Sequence, residues 1–256
     1  MISGFEFSNI SKWSCCNNYP IRFKSSAISE DDLIYLDLVD LQRFIETLET
    51  YPPTNKFVLI SYNKYLPFKQ EHFDKLKPYV SRIYATNLDF IDPYVLPIPL
   101  GFIDSSKITH AWYKEVYDQR YTKDMLLYVN FSININAIKR ARCMVAFMDK
   151  PWVSNRYNIS RGQYYIDLSK SKYAISPEGM SLDSHRIYEC IYLDTIPIVK
   201  TSQFDFFYKN LPIVIVQDWN EVTEQFLLDN YNECIARLKE WKIANPNWTD
   251  AKSWIK

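Results

Sequence analysis

The chain has 256 residues, with 30 basic and 30 acidic side chains, a formal net charge of zero and a pI near 6.8. That balance argues against a protein that holds nucleic acid by a net positive field. Hydrophobic residues make up 47% and aromatic ones 16%, which excludes a mainly disordered chain and is ample for one or two domains.

Short apolar runs alternate with longer amphipathic stretches, the pattern of α/β units around parallel sheets. Leu33 to Leu38 reads as a strand and Leu41 to Thr50 as a helix, ended by Tyr51, Pro52 and Pro53. Phe57 to Ser61 is the next strand. Glu71 to Lys77 is helical and Ser81 to Ala85 extended. Val95 to Leu100 is extended but carries Pro97 and Pro99, which place it at a sheet edge. A second series begins near Asp124. Its strands are Met125 to Phe131, Tyr173 to Ser176, Ile196 to Val199 and Ile213 to Val216. Its helices are Asn136 to Lys150, Tyr164 to Lys170, Ser184 to Leu193, Phe204 to Tyr208 and Glu221 to Trp241. The expected architecture is therefore α/β, two Rossmann-like parallel-sheet domains facing across a cleft, with a seam in the tyrosine-rich stretch from His110 to Tyr121. The domains would be 1–121 and 122–256, the last helices packing back on the first.

Glycine is scarce. Gly4, Gly101, Gly162 and Gly179 are the only four, so neither a P-loop nor a dinucleotide fingerprint is present. The five cysteines include one adjacent pair and no C-x-x-C, a poor disulfide or zinc framework that fits a reducing compartment. No signal peptide and no membrane-spanning run is visible, so a soluble, cytoplasmic setting is expected.

The most informative stretch is Tyr173 to Val199. A strand leads into a loop with Pro177 and Gly179, then a helix with Asp183 at its expected N-cap, then another strand. The loop lies past a strand's carboxyl end, where ligands bind in open α/β sheets. Free N–H groups of the first helical turn offer an anion site, and Arg186 can add a bidentate contact to a phosphate. Glu189, one turn on, can accept two ribose hydroxyls. The same i,i+3 spacing also fits an exposed ion pair worth about 0.2–0.5 kcal/mol, and His185 alone fits a capping or packing role, so spacing leaves both readings open.

The segment S-P-E-G-x-x-x-D-S-H-R-x-x-E, Ser176 to Glu189, followed by D-T-I-P-I-V from Asp194, resembles the donor-binding region of exostosin-type glycosyltransferases of family 47. It is nearest in style to the small stand-alone forms found in some large DNA viruses. Leu211-Pro212-Ile213-Val214 and Asp218-Trp219 extend the likeness, and Tyr128 to Ser132 resembles the family more loosely. Upstream, Val58 to Asn63, Ala85-Thr86-Asn87 and Pro97 to Gly101 resemble recurring cleft segments. The resemblance implies a GT-B enzyme that moves a sugar, with inversion, from a nucleotide-sugar, a UDP-sugar, to a glycan or glycoprotein acceptor. It implies no cofactor and no metal. Arg186 would stabilise the leaving diphosphate and Glu189 would bind the ribose. Pro177, Gly179, Asp183, Ser184 and His185 would lie beside the donor, with Arg140 and Asn130 as further contacts. Tyr62, Asn63, Asn87, Gly101 and Trp152 would line the acceptor cleft.

Where small family members carry a His and then an acid, Tyr62, Lys64 and Tyr65 stand here. The general base therefore stays open among Asp40, Asp89 and Asp104, with His110 further along. A catalytically silent nucleotide-sugar or glycan-binding protein on the same fold is the alternative reading. No D-x-D pair is present, which fits donor binding through cations and helix ends.

Overall fold

The computed structural model describes residues 1–16, 23–103 and 110–256. The chain divides into two compact units, Met1–Asp104 with Asn247–Lys256, and Ser105–Pro246. Both are α/β and each is built on one fully parallel five-stranded sheet.

The first unit runs α1 (Gly4–Ile10), β1 (Trp13–Cys15), β2 (Leu33–Asp37), α2 (Leu41–Thr50), β3 (Phe57–Tyr62), α3 (Gln70–Leu76), β4 (Val80–Ala85) and β5 (Val95–Pro97). The strands lie in chain order across the sheet. Both faces of β2 to β4 are buried, so these strands are near-continuous apolar runs rather than alternating ones. α2 buries Leu41, Phe44, Ile45 and Leu48, the spacing of one helical face. β5 is an edge strand, as its prolines require. Gly101 follows it at φ +68°, and a Cβ there would lie 2.3 Å from the Ile2 carbonyl oxygen. Backbone packing against Ile2 alone thus requires glycine at position 101.

The second unit runs α4 (His110–Asp118), β6 (Met125–Val129), α5 (Ala137–Phe147), β7 (Val153–Asn155), α6 (Arg161–Lys170), β8 (Ser171–Ile175), α7 (His185–Tyr192), β9 (Ile196–Lys200), α8 (Asp205–Tyr208), β10 (Val214–Val216) and α9 (Glu224–Ala244). Strand order is β7-β6-β8-β9-β10. The chain leaves β6 toward one edge of the sheet for β7 and leaves β8 toward the other for β9, so a switch point opens between the carboxyl ends of β6 and β8. Cys143, Met144 and Phe147 of α5 share one core with Leu227 and Leu238 of α9 and with Leu127, Ile175 and Ile198 of the sheet. α4 belongs to this unit because Tyr113 and Trp112 pack edge-on against Tyr165 of α6, at 5.0 and 4.7 Å between ring centroids. All five cysteines are free thiols.

Candidate functional site

At the switch point, two arginines converge on the loop of residues 176–184 that follows β8. Arg140, from α5, is buried and braces the loop from beneath. Its Nε donates to the Glu178 carbonyl at 2.9 Å, and its terminal nitrogens donate to the carbonyls of Ser132 at 2.8 Å and Pro177 at 3.4 Å. Burial, reinforced by the like charge of Arg186, pulls its pKa down to about 10. Gly179 lies where a Cβ would come 3.2 Å from that guanidinium. Its carbonyl accepts a bond from Asn136 at 2.9 Å. The glycine therefore lets Arg140 approach the loop.

Arg186, in the first turn of α7, is partly buried. It donates to the Ile175 carbonyl at 3.4 Å and stacks over Tyr164 at 5.2 Å. Burial opposes its charge, yet the Tyr164, Cys190 and Glu189 side chains around it hold its pKa above the ordinary arginine value. Neither guanidinium forms an ion pair with a carboxylate among the described residues. Three buried hydroxyl oxygens of the same edge, Tyr128 Oη, Ser176 Oγ and Ser184 Oγ, have no hydrogen-bond partner among the described residues. Buried polar atoms are normally satisfied, so such a group marks room for a polar ligand.

Beside this loop an open cavity of about 780 Å³ lies at the carboxyl ends of β8, β9 and β10. Its walls carry Lys139, Arg142 and Lys200 as cations, with Tyr208, Trp219 and the backbone of residues 200–203. Lys139 pairs with Glu178, and Lys200 with Asp218 at 2.9 Å. Arg142 forms no ion pair among the described residues. Of these wall residues only Trp219, beside Asp218, belonged to a segment that the sequence tied to the donor; Lys139 and Arg142 read there as a solvated helix face. The signal was available: Lys139 and Arg142 lie three apart on one helix face that starts at the switch point.

Several expected roles are corrected by these placements. Glu189 is 2% exposed and enclosed by tyrosines. Its Oε2 accepts from Tyr164 at 2.8 Å, while Oε1 accepts from Tyr165 at 2.6 Å and Tyr113 at 3.2 Å. Burial and the nearby carboxylate push the three phenol pKa values upward. A ribose has no access to that carboxylate here. Ser184, not Asp183, is the N-cap of α7. Asp183 is buried and accepts from the Ser184 N–H at 2.8 Å, Tyr188 at 2.5 Å and Tyr208 at 3.2 Å. It holds the loop's shape. His185 opens α7 and is partly buried. Pro177 gives its carbonyl to Arg140, and Asn130 donates to the Arg156 carbonyl at 3.0 Å.

Of the acceptor candidates, Tyr62 is a core residue: its hydroxyl donates to the Leu100 carbonyl at 2.9 Å and its ring packs near Phe7 and Tyr35. Asn63 and Asn87 do sit at the carboxyl edge of the first sheet, but buried and bonded to one another. Trp152 precedes β7, at the amino-terminal edge, where it packs partly buried against the core under Lys150. It is remote from the switch-point loop because α5 has carried the chain back across the sheet. Asp40 is buried, with Cys15 nearby. Asp89 is partly exposed, and burial raises its pKa. Asp104 lies outside the described residues. No three His, Cys, Asp or Glu side chains converge to hold a metal among the described residues.

Residues 112–242, just over half of the chain, match the family model described as the RXYLT1 C-terminal domain. The chain belongs to that family. The matched span covers α4 to α9, so it contains the switch-point loop, both arginines and the cationic cavity. Three solved structures share the fold over most of the chain. They are the N-terminal domain of the Candida albicans trehalose-6-phosphate phosphatase (13% identity, 89% of this chain and 70% of that one, TM-score 0.54), an apo structure of OtsA (11%, 89% and 72%, 0.54) and a UDP-forming α,α-trehalose-phosphate synthase from Burkholderia xenovorans (11%, 89% and 72%, 0.52). No curated protein sequence is significantly similar to the chain. The chain is an exostosin-like glycosyltransferase with a GT-B fold. No helix among the described residues is long and apolar enough to cross a membrane.

Proposed function

We propose that the chain transfers a sugar from a UDP-sugar to a hydroxyl of a glycan or glycoprotein acceptor, with inversion at the anomeric carbon and without a metal ion. One observation carries this reading: the 780 Å³ cavity at the carboxyl ends of β8 to β10, walled by cations and adjoining a loop flanked by two arginines without acidic partners. Its volume is in the range of small-ligand sites, about 300–1,000 Å³. A bound nucleoside diphosphate brings negative charge that Arg142, Lys200 and Arg186 answer. As the acceptor oxygen bonds to the anomeric carbon, the bond from that carbon to the diphosphate breaks, and negative charge grows on the leaving oxygen. Cations fixed beforehand beside that oxygen lower the barrier without a metal. Gly179 lets Arg140 brace the loop, and Asp183 with Tyr188 and Tyr208 keeps it in one shape.

The test is a thermal-shift screen against UDP, GDP and their sugars, with UDP-xylose first because the family is a xylosyltransferase one. A ligand at a hundred times its Kd adds about 2.7 kcal/mol and a clear rise in Tm. UDP-sugars should stabilise the protein, and UDP release should persist in EDTA. No shift with any nucleotide would remove the donor reading. Loss of release in EDTA would remove the metal-free mechanism alone. Binding without turnover on any acceptor identifies a nucleotide-sugar-binding protein instead.

A further inference from the structure

The second unit has a smaller cavity at the opposite, amino-terminal end of its sheet, of about 130 Å³. Val116, Tyr117, Arg120, Lys123, Leu193 and Asp194 line it, all within that unit. Lys123 Nζ donates to the Leu193 carbonyl at 2.9 Å and to Thr195 Oγ1 at 2.8 Å. Thr195 gives its own hydroxyl proton to the Leu168 carbonyl at 2.6 Å, so toward Lys123 its oxygen accepts. No carboxylate stands within ion-pair distance of Lys123 among the described residues. Two acceptors use both hydrogens of a neutral amine and leave its lone pair. An ammonium has a third hydrogen that no described residue accepts.

The charges around the cavity favour the same state. Asp194 is shared between Lys242, at 2.5 Å, and Arg120, at 4.0 Å. The Tyr117 ring carries both cations, 5.1 Å from Lys242 Nζ and 4.1 Å from the Arg120 guanidinium. Asp118, the next acid along, is paired with Lys114. Burial pushes the Cys190 thiol, behind the turn, up to about 12, so it supplies no negative charge. Two cations therefore share one carboxylate. An ammonium at Lys123 adds a third cation, whereas an anion built on that nitrogen balances the set. Burial also pulls the pKa of Lys123 down to about 7. The free amine is then abundant near neutral pH, where an exposed lysine holds it in about one part in a thousand. The cavity holds a few waters and falls well below the ~300 Å³ at which organic-ligand sites begin. Only a very small electrophile fits.

We propose that Lys123 is a carbamate site for carbon dioxide. The lone pair of Nζ forms a bond to the carbon of CO₂, one carbon–oxygen π pair moves onto oxygen, and one N–H proton passes to water. The amine and CO₂ thus become a carbamate anion and a proton, with no oxidant or reductant needed. The N–H that remains keeps the Leu193 carbonyl, and Thr195 keeps its bond to Leu168. The new carboxylate lies in the cavity with Arg120 as its counter-charge. The site is independent of the donor reading.

The experiment equilibrates the protein at about pH 7.5 with carbon-13-labelled carbon dioxide and bicarbonate and reads the carbamate resonance. Carbamates are then alkylated with triethyloxonium ion and mapped by peptide mass spectrometry. An ethyl carbamate should be found on Lys123. The chain's α-amino group, with a pKa of about 7.7–8.0, reacts in the same way and is told apart by its peptide. Lys123→Met should lose one resonance, while Lys209→Met, at an exposed lysine, should keep the wild-type spectrum. Arg120→Gln should need about fivefold more carbon dioxide for half-occupancy, the size of one partly exposed charge pair. Wild-type protein with no trapped carbamate on Lys123 overturns the proposal, a result that holds even where Lys123→Met fails to fold. An unchanged spectrum in a folded Lys123→Met also overturns it. Equal occupancy in Arg120→Gln overturns the carbamate's place in this cavity.

Discussion

At the carboxyl edge of the second sheet, Lys139, Arg142 and Lys200 wall an open cavity, and Arg140 and Arg186 flank the loop beside it. At the carboxyl edge of the first, Asn63, Thr86 and Asn87 satisfy one another and leave one carboxylate oxygen of Asp37 open. The topology is the same kind, parallel strands ending at one rim, yet the chemistry differs. An edge that receives a dianion needs fixed cations and room. An edge whose polar groups satisfy one another needs no ligand to complete it. Both edges gather their polar residues at the carboxyl ends of parallel strands, where open α/β sheets take ligands.

The strongest way to break the cationic half of that contrast is Arg186→Ala. A charge-assisted contact to a diphosphate is worth about 1.5–3 kcal/mol, or roughly ten- to a hundredfold in Kd. Calorimetry with UDP should show a loss of that size while Tm changes less, since the contacts of Arg186 to the protein are one long hydrogen bond, to the Ile175 carbonyl, and its stack on Tyr164. Wild-type affinity would show that the diphosphate lies elsewhere along the edge, with Arg142 and Lys200 as the next candidates.

Glu189→Gln sharpens the contrast from the other side, because Glu189 looks like a ligand residue by spacing and is a packing residue by geometry. The amide places an N–H₂ where one oxygen now accepts a tyrosine hydroxyl, so about 1–3 kcal/mol of stability should be lost. Urea unfolding should report that loss, and Kd for UDP should move by less than about threefold, under 0.7 kcal/mol. A tenfold weaker Kd at unchanged stability would restore the ribose role.

Much of the fold was legible because its strands are buried on both faces: LIYLD, FVLISY and IPIVK are apolar runs between turn signals. α1 was missed for its length, and β1 and β7 because three residues cannot show a period of two. The seam falls between residues 104 and 105, ahead of the expected stretch from His110 to Tyr121, because α4 joins the second unit through rings on α6 some fifty residues later, a contact with no local trace. The same long-range contact hid the cage around Glu189, since Tyr113, Tyr164 and Tyr165 come from two other helices. The loop around Arg186 was readable from its motif. Asp37, which closes an apolar strand, was not singled out, and its bond to Asn63 is set by register across the sheet rather than by spacing along the chain.

The smallest effect concerns the amino-terminal edge of the second unit, where a buried amine serves the fold. Lys123 precedes β6 and its ammonium position is buried, donating to the Leu193 carbonyl at 2.9 Å and to Thr195 Oγ1 at 2.8 Å. Burial lowers its pKa to about 7, against the partial support of Asp194 and Cys190 and with Lys242 opposing its charge. Lys242 itself is lowered by burial and pairs with Asp194 at 2.5 Å. The depressed value fixes the sign of a pH effect. Between about pH 7 and 10 the unfolded chain holds a proton on Lys123 that the folded chain has released, so unfolding becomes harder as pH rises through that window. Below pH 7 both states are protonated and the penalty of a buried charge is complete. Urea unfolding at half-unit steps should give a slope of up to about 1.4 kcal/mol per pH unit from this one group. Lys123→Met should remove that part of the slope and leave the contribution of Lys242. An identical pH profile in the two proteins would mean that Lys123 stays charged in the fold, its bonds to Leu193 and Thr195 outweighing the burial.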